Sequence, residues 1–486
     1  MPSGSAARRV QLVALLSGFA GLGYEMVWVK MLTVSLGHEI VSVLAVLAAF
    51  FVGLGLGALA LSRRIAGSPN PAAWYAGIEG LIGLWALALT MLIPLSGQVL
   101  PTLIGAEPSA ARHALLAFGG TFVLLAPATL AMGATLPAAE RVFTAWVGEG
   151  RHVGRLYALN TAGAVGGTLV STFLLAPQIG FSRTLWLLAA LNFVCVLLLR
   201  GLGRPPQRTE DDAIPSVIPS GGSGVITGAL SGVTQNASLS ARRDIAPTAH
   251  PLLMLAALFL TGLLGLGYEV VVVRVMSQVL ENTVYTFAVV LAVYLTGTAL
   301  GAALYQRMGH PAGPVARLWL VGLSVTTSVV GVLVLASSDQ VYRSAITLFG
   351  QRTLGALAGD LWVALLVFLA PTMSMGALFA QLAQQALPQM GLGRAIAANT
   401  LGSALAPALF GMLLMPVIGP KTILLTLALG YLLILVVPGA PHPVHGGARV
   451  RPAQAIAVGL CAVVLVLGGG RSLEALRFVD TPVNGE

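Results

Sequence analysis

Apolar residues gather along this chain into recurring runs of spanning length, separated by polar breaks. Lipid offers no partner for backbone N–H and C=O groups, so a crossing segment must satisfy them internally, and a helix does so with about 20 mainly apolar residues. The runs predict helices near 10–29, 40–61, 74–95, 114–136, 156–176 and 184–199. After a polar interval they resume near 252–273, 283–304, 318–336, 361–382, 395–415 and 422–437. A shorter run at 453–467 is a candidate thirteenth. Runs of this length exclude a β-barrel. The expected fold is all-α, a polytopic membrane helical bundle.

The chain repeats itself, and the repeat decides the architecture. "SGFAGLGYEMVWVKML" from Ser17 returns as "TGLLGLGYEVVVVRVM" from Thr261, an offset of 244 residues. That offset aligns Tyr24 with Tyr268, Glu25 with Glu269, Lys30 with Arg274, and Gly53 and Gly57 with Gly297 and Gly301. Pro127, Met132 and Gly133 match Pro371, Met375 and Gly376. Further on, "GRLYALNTAG" from Gly154 pairs with "GRAIAANTLG" from Gly393, and Pro177 and Gly180 pair with Pro416 and Gly419, at an offset of 239. The first run follows Arg8 and Arg9, as a secretory signal would. Its recurrence in mid-chain marks it instead as a retained helix.

Each half has an even number of spans, so both enter from the same side, as in the parallel repeats of major-facilitator transporters. The expected divisions are an N-terminal six-helix half over 1–200, a flexible cytoplasmic linker over 201–251, a second six-helix half over 252–438, and a tail with the candidate thirteenth helix over 439–486. The linker is rich in Pro, Gly, Ser and Thr and holds Glu210, Asp211 and Asp212. A cytoplasmic N-terminus places 17 of the 26 Lys and Arg residues inside and 9 outside, in accord with the positive-inside rule.

Composition agrees with this class: 57% of residues are hydrophobic and 9% charged, against about 25% charged in soluble domains. The net charge of +9 reads as topology and contact with anionic headgroups, not as nucleic-acid binding. Cys195 and Cys461 lie far apart in apolar runs and imply neither a disulfide framework nor a metal site. The expected location is an integral membrane protein of a bacterial inner membrane.

The opening "SGFAGLGYEMVWVKML", the second helix "FFVGLGLGALA", the third "WYAGIEGLIGLWAL" and the fifth "GRLYALNTAGAVGG" resemble the membrane module of the fused major-facilitator/spermidine-synthase family. The resemblance covers nearly the whole chain. It implies polyamine-related work and, in fused members, a soluble doubly wound aminopropyltransferase domain that binds decarboxylated S-adenosylmethionine. No stretch outside the spans is long enough for such a sheet, and no Gly-rich turn followed by an acidic residue occurs in that setting. "LGGGRS" near Gly468 reads as a helix terminus. Neither a cofactor nor aminopropyl transfer is expected on this chain.

Glu25 and Glu269 are the leading candidates for binding a cationic solute or a proton, since intramembrane carboxylates are costly and face a cavity, a partner or a pathway. Tyr24 and Tyr268 flank them. Lys30 and Arg274 follow five positions later, about 140° around a helix. A straight helix cannot turn both groups inward, so either the basic residue snorkels or Gly18, Gly21 and Gly23 let the backbone unwind. A cross-half arrangement would pair Glu25 with Arg274 and Glu269 with Lys30. Glu79 has no acidic counterpart in the second half and is a proton-site candidate. Asn160 and Asn399 are further candidates, with helix bridging the favoured reading. Gln381, Gln384 and Gln385 are expected at a cytoplasmic interface.

The Gly53 and Gly297 motifs are close-packing patterns. Pro127, Pro137, Pro371, Pro407 and Pro416 are expected to kink or end helices. The loops "SRRIAG" and "QRMGH" faintly echo the major-facilitator gating loop but lack its Asp. The leading function is transport of a small, cationic, polyamine-like solute. The alternative is a membrane anchor for a separately encoded synthase-like partner or larger complex. No nucleophile–base pair or His-rich metal set supports an enzyme.

Overall fold

A computed structural model describes residues 3–36, 39–105, 109–147, 153–202, 251–277, 284–308, 314–349 and 353–436. Most of the linker and the candidate thirteenth run lie outside the described residues. The N-terminal half contains α1 (Ser3–Leu36), α2 (Glu39–Ala66), α3 (Pro71–Ile104), α4 (Ala110–Gly133), α5 (Thr135–Val147), α6 (Val153–Val170), α7 (Ala176–Ile179) and α8 (Phe181–Arg200). The C-terminal half contains α9 (Pro251–Met276), α10 (Val284–Arg307), α11 (Pro314–Ala336), α12 (Ser338–Phe349), α13 (Thr353–Ala364), α14 (Ala370–Met390), α15 (Leu392–Ala406) and α16 (Met415–Gly430).

Among the described residues, eleven helical stretches are long and apolar enough to cross a membrane. The last, Gly393–Val436, has 44 residues. At 1.5 Å per residue that is about 66 Å, roughly twice a bilayer core. It is two spans meeting at Gly419, whose φ of 74° and ψ of 161° break the helix. Gly180, its repeat partner, does the same between α7 and α8 with φ 78°. A side chain at that φ would be strained, which is why glycine stands at both corners. Large apolar side chains such as Leu84, Met91, Leu115 and Leu197 stay on the outside, where lipid takes the place of a core.

Proline shapes three helices in a common way. It cannot donate to the carbonyl four residues back, so the preceding turn loosens. The backbone widens to a π-helix over Ser171–Leu175 before Pro177, over Leu365–Leu369 before Pro371, and over Pro407–Leu414 before Pro416. Pro127 instead sits inside a continuous α4. Pro137 lies in the first turn of α5, just after the break at Ala134.

The repeat holds at the level of atoms. A Cβ at Gly18 would lie 2.0 Å from the Asn160 carbonyl oxygen, and one at Gly262 would lie 1.9 Å from that of Asn399. Gly57 meets the Leu130 carbonyl oxygen at 1.9 Å and Gly301 that of Met373 at 1.8 Å. In return Gly133 meets Leu54 and Gly376 meets Thr298, at 2.1 and 2.2 Å. The same glycines thus seat α1 on α6 and α2 on α4 in one half, and α9 on α15 and α10 on α14 in the other. The expected role of the Gly-x-x-x-Gly patterns in close packing is borne out by these contacts.

Two seams join the halves. Along α2 and the stretch formed by α15 and the π-helix after it, Leu44 lies beside Gly411, Leu401 beside Gly55, and Ser62 beside Gly393, so these segments run antiparallel in contact over most of their length. Along α10 and the π-helix that continues α6, the rings of Phe173 and Tyr285 meet at 5.2 Å. Beside them lies an apolar cavity of about 400 Å³ lined by residues including Leu169, Val289, Val293 and Leu365. Met26, Leu44 and Leu47 of the first half belong to the buried core of the second.

Candidate functional site: paired carboxylates between the halves

The helices that carry the two leading candidates are unbroken, so their glycines do not unwind them, and Gly18, Gly23, Gly262 and Gly267 seat neighbouring helices instead. Glu25 is 2% exposed and Glu269 1%, which turns both away from lipid. Oε1 of Glu25 and both carboxylate oxygens of Glu269 have no hydrogen-bond partner. The two carboxylates lie within electrostatic range of each other. Met26, next to Glu25, packs into the core of the opposite half, which places this stretch of α1 at the boundary.

Tyrosines surround this point. Tyr294 on α10 lies within electrostatic range of Glu269, of Tyr431 beyond α16, and of Tyr157 on α6 of the opposite half. The Tyr431 hydroxyl is buried and has no hydrogen-bond partner. None of these three tyrosines stood out in the sequence, where each is one polar group in an apolar run. The usable signal was the 239-residue offset, which puts Tyr431 at the position of Asn192.

Lys30 and Arg274 are half-buried. Glu269 accepts no hydrogen bond, so none joins it to Lys30. The reason is the 140° offset along a helix that stays straight.

Tyr24 and Glu79 meet inside the first half rather than between halves. The Tyr24 hydroxyl donates to Asn192 Oδ1 at 2.6 Å, and Asn192 Nδ2 donates to Glu79 Oε2 at 2.6 Å. Tyr24 also stacks on Trp28, with centroids 5.3 Å apart. Glu79 is fully buried and its Oε1 has no partner. Tyr268 is spent differently: its hydroxyl donates to the Val367 carbonyl at 2.9 Å. That carbonyl is the one Pro371 leaves without its helical donor.

Asn160 donates from Nδ2 to the Ala14 carbonyl at 3.1 Å, and Asn399 to the Leu258 carbonyl at 3.2 Å and to Thr261 Oγ1 at 3.1 Å. They clamp α6 to α1 and α15 to α9. The glutamines expected at a cytoplasmic interface are engaged inside the bundle. α14 runs on to Met390, past the expected end of its span, so Gln381 is fully buried and Gln385 accepts from the buried Arg317 of α11. Asp360 was overlooked at the head of an apolar run. It is buried and accepts from Thr286 Oγ1 at 2.7 Å, tying α13 to α10. Among the described residues no cluster of three or more His, Cys, Asp or Glu is placed to hold a metal.

No family model and no curated protein matches this sequence. Solved structures do. A bacterial homologue of the iron transporter ferroportin, in an outward-facing state, is 13% identical with a TM-score of 0.50, covering 94% of this chain and 99% of that one. The major-facilitator proton:xylose symporter XylE, bound to 6-bromo-6-deoxy-D-glucose, is 15% identical with a TM-score of 0.50, covering 90% of this chain and 97% of that one. At such identities the likeness is one of fold. It supports the major-facilitator part of the resemblance read in the sequence and leaves the synthase part without a counterpart.

Proposed function

We propose that this integral membrane protein of major-facilitator fold transports a small cationic solute, polyamine-like in its amino groups, which Glu25 and Glu269 bind between the halves. One observation carries the reading: repeat-equivalent carboxylates, both buried, stand within reach of each other's charge, and neither carboxylate oxygen of Glu269 nor Oε1 of Glu25 is hydrogen-bonded. Two such groups in a low-dielectric site are costly unless a proton or a bound cation compensates them. An ammonium group supplies both the charge and the donors that these oxygens lack. Tyrosine hydroxyls and ring faces nearby suit the same ligand. The polyamine assignment comes from the resemblance to the fused synthase family.

The test is flux of spermidine and of protons into liposomes holding the purified protein. Loss of one charge-assisted hydrogen bond costs about 1.5–3 kcal/mol, so Glu25→Gln and Glu269→Gln are each expected to weaken uptake about ten- to a hundredfold. The double variant should abolish it. Full flux in the double variant overturns the proposal. Absence of flux in the unaltered protein, with a soluble synthase-like protein co-purifying, would replace it with the anchor reading.

A further inference from the structure

On α9, Gly265 lies one turn before Glu269 and about 40° around the helix from it, so the two share a face. A Cβ at Gly265 would lie 3.4 Å from the Tyr294 hydroxyl oxygen and 3.7 Å from that of Tyr431. Two phenol oxygens, one from α10 and one from just beyond α16, thus converge on a point one turn from the carboxylate. Tyr294 is also within electrostatic range of Glu269 itself. The Tyr431 hydroxyl and both Glu269 oxygens are buried and have no hydrogen-bond partner. Buried polar groups are ordinarily paired, so a cluster of unmet ones points to donors that a ligand brings.

The first half does not repeat this arrangement. The 244-residue offset puts Phe50 at the position of Tyr294, and the 239-residue offset puts Asn192 at that of Tyr431. Phe50 has no hydroxyl to offer. Asn192 is already engaged, accepting from Tyr24 and donating to Glu79. At Gly21, the twin of Gly265, no atom comes within 4 Å of the Cβ position. Glu25 and Glu269 are therefore equivalent in the repeat and unlike in their surroundings.

We propose that Glu269, Tyr294 and Tyr431 form a subsite for a primary ammonium group, which donates N–H to the carboxylate and to the two phenol oxygens, and that Glu25 has no equal of it. A primary ammonium carries three donors and no acceptor. One carboxylate and two hydroxyl oxygens match that set. A quaternary ammonium has no donor and is recognised by ring faces instead. In the arrangement described here Glu269 and Tyr431 are each 1% exposed, whereas Tyr294 is half-buried. The ligand therefore meets Tyr294 first and reaches the other two as the helices around them shift. The inference rests on the transport reading and narrows its solute to amines that end in a free primary ammonium group.

The test is calorimetric binding of two probes to the purified protein, 1,4-diaminobutane and its counterpart with both nitrogens trimethylated. The first should bind at least about tenfold more tightly, since only it can donate hydrogen bonds to the site. Tyr294→Phe and Tyr431→Phe keep the rings and remove the oxygens, so each should weaken 1,4-diaminobutane about tenfold. The Tyr431 hydroxyl has no hydrogen-bond partner to lose, so Tyr431→Phe should fold as the unaltered protein does. Combined with Glu269→Gln, either tyrosine change should add less to the loss than it does combined with Glu25→Gln. Equal binding of the two probes overturns the subsite. So does unchanged affinity in both tyrosine variants while Glu269→Gln weakens binding, a result that leaves the transport reading standing. Equal losses in the two glutamine backgrounds overturn the assignment to Glu269. No binding of 1,4-diaminobutane by the unaltered protein overturns the subsite and the transport reading together.

Discussion

Tyr24 and Tyr268 are the same residue at equivalent places in two copies of one sequence, and they work on different partners. Tyr24 orders the Asn192–Glu79 pair, whereas Tyr268 caps the carbonyl that Pro371 strips of its donor. Tyr268→Phe should therefore cost about 1 kcal/mol of stability, the usual worth of one hydrogen bond within a membrane protein. Asn192→Leu removes both the acceptor of Tyr24 and the donor of Glu79. It is expected to cost about 2–3 kcal/mol, because it leaves two buried polar groups unmet. Reversible unfolding in mixed detergent micelles ranks the two variants, and a smaller loss for Asn192→Leu would show that the buried pair is not structural. The candidate carboxylates were legible because charge in an apolar run is rare. Their partners were not, because Asn192 lies 113 positions from Glu79 and only packing brings them together.

At the scale of helices, glycine does two jobs that the sequence writes identically. Gly18 and Gly262 let backbones touch, and a methyl group there would collide with a carbonyl oxygen at 2.0 and 1.9 Å. Gly18→Ala is expected to destabilise the protein by about 1–3 kcal/mol through overpacking. Gly21→Ala meets open space and gains helix propensity, so it should be neutral or stabilising by up to about 1 kcal/mol. The same unfolding measurement separates them, and equal losses would mean that Gly21 also seats a neighbour. Of the prolines expected to kink or end helices, Pro371 and Pro416 instead follow stretches where the helix widens to the π form and continues, and Pro127 sits inside an unbroken helix. That outcome depends on neighbouring helices holding the span straight, which no local pattern expresses.

At the scale of the whole molecule, α2 lies against α15 and the π-helix after it, from Leu44 and Gly411 to Ser62 and Gly393. Charge placement predicts which face is which: Arg63 and Arg64 in the last turn of α2 mark the inner side. In a background with Cys461 replaced, Ala66→Cys should resist a membrane-impermeant thiol reagent applied to intact cells. Thr102→Cys, near the end of α3, should react. The reverse pattern would invert the topology. The buried Cys195 should stay unlabelled in both.

The spans of the two halves, the duplication and the positions of the two carboxylates follow from the sequence alone, because a segment crosses lipid on its length and hydropathy, and a repeat needs only comparison to be seen. The tertiary structure decided which polar groups meet. It placed Glu25 and Glu269 at one boundary, drew Glu79 into its own half, and left no atom within 4 Å of a Cβ at Gly21 where two tyrosine hydroxyls approach the twin position at Gly265. Those outcomes turn on side-chain lengths across helices distant in the chain, where Asn192 and Tyr431 occupy one place in the repeat and reach to different depths.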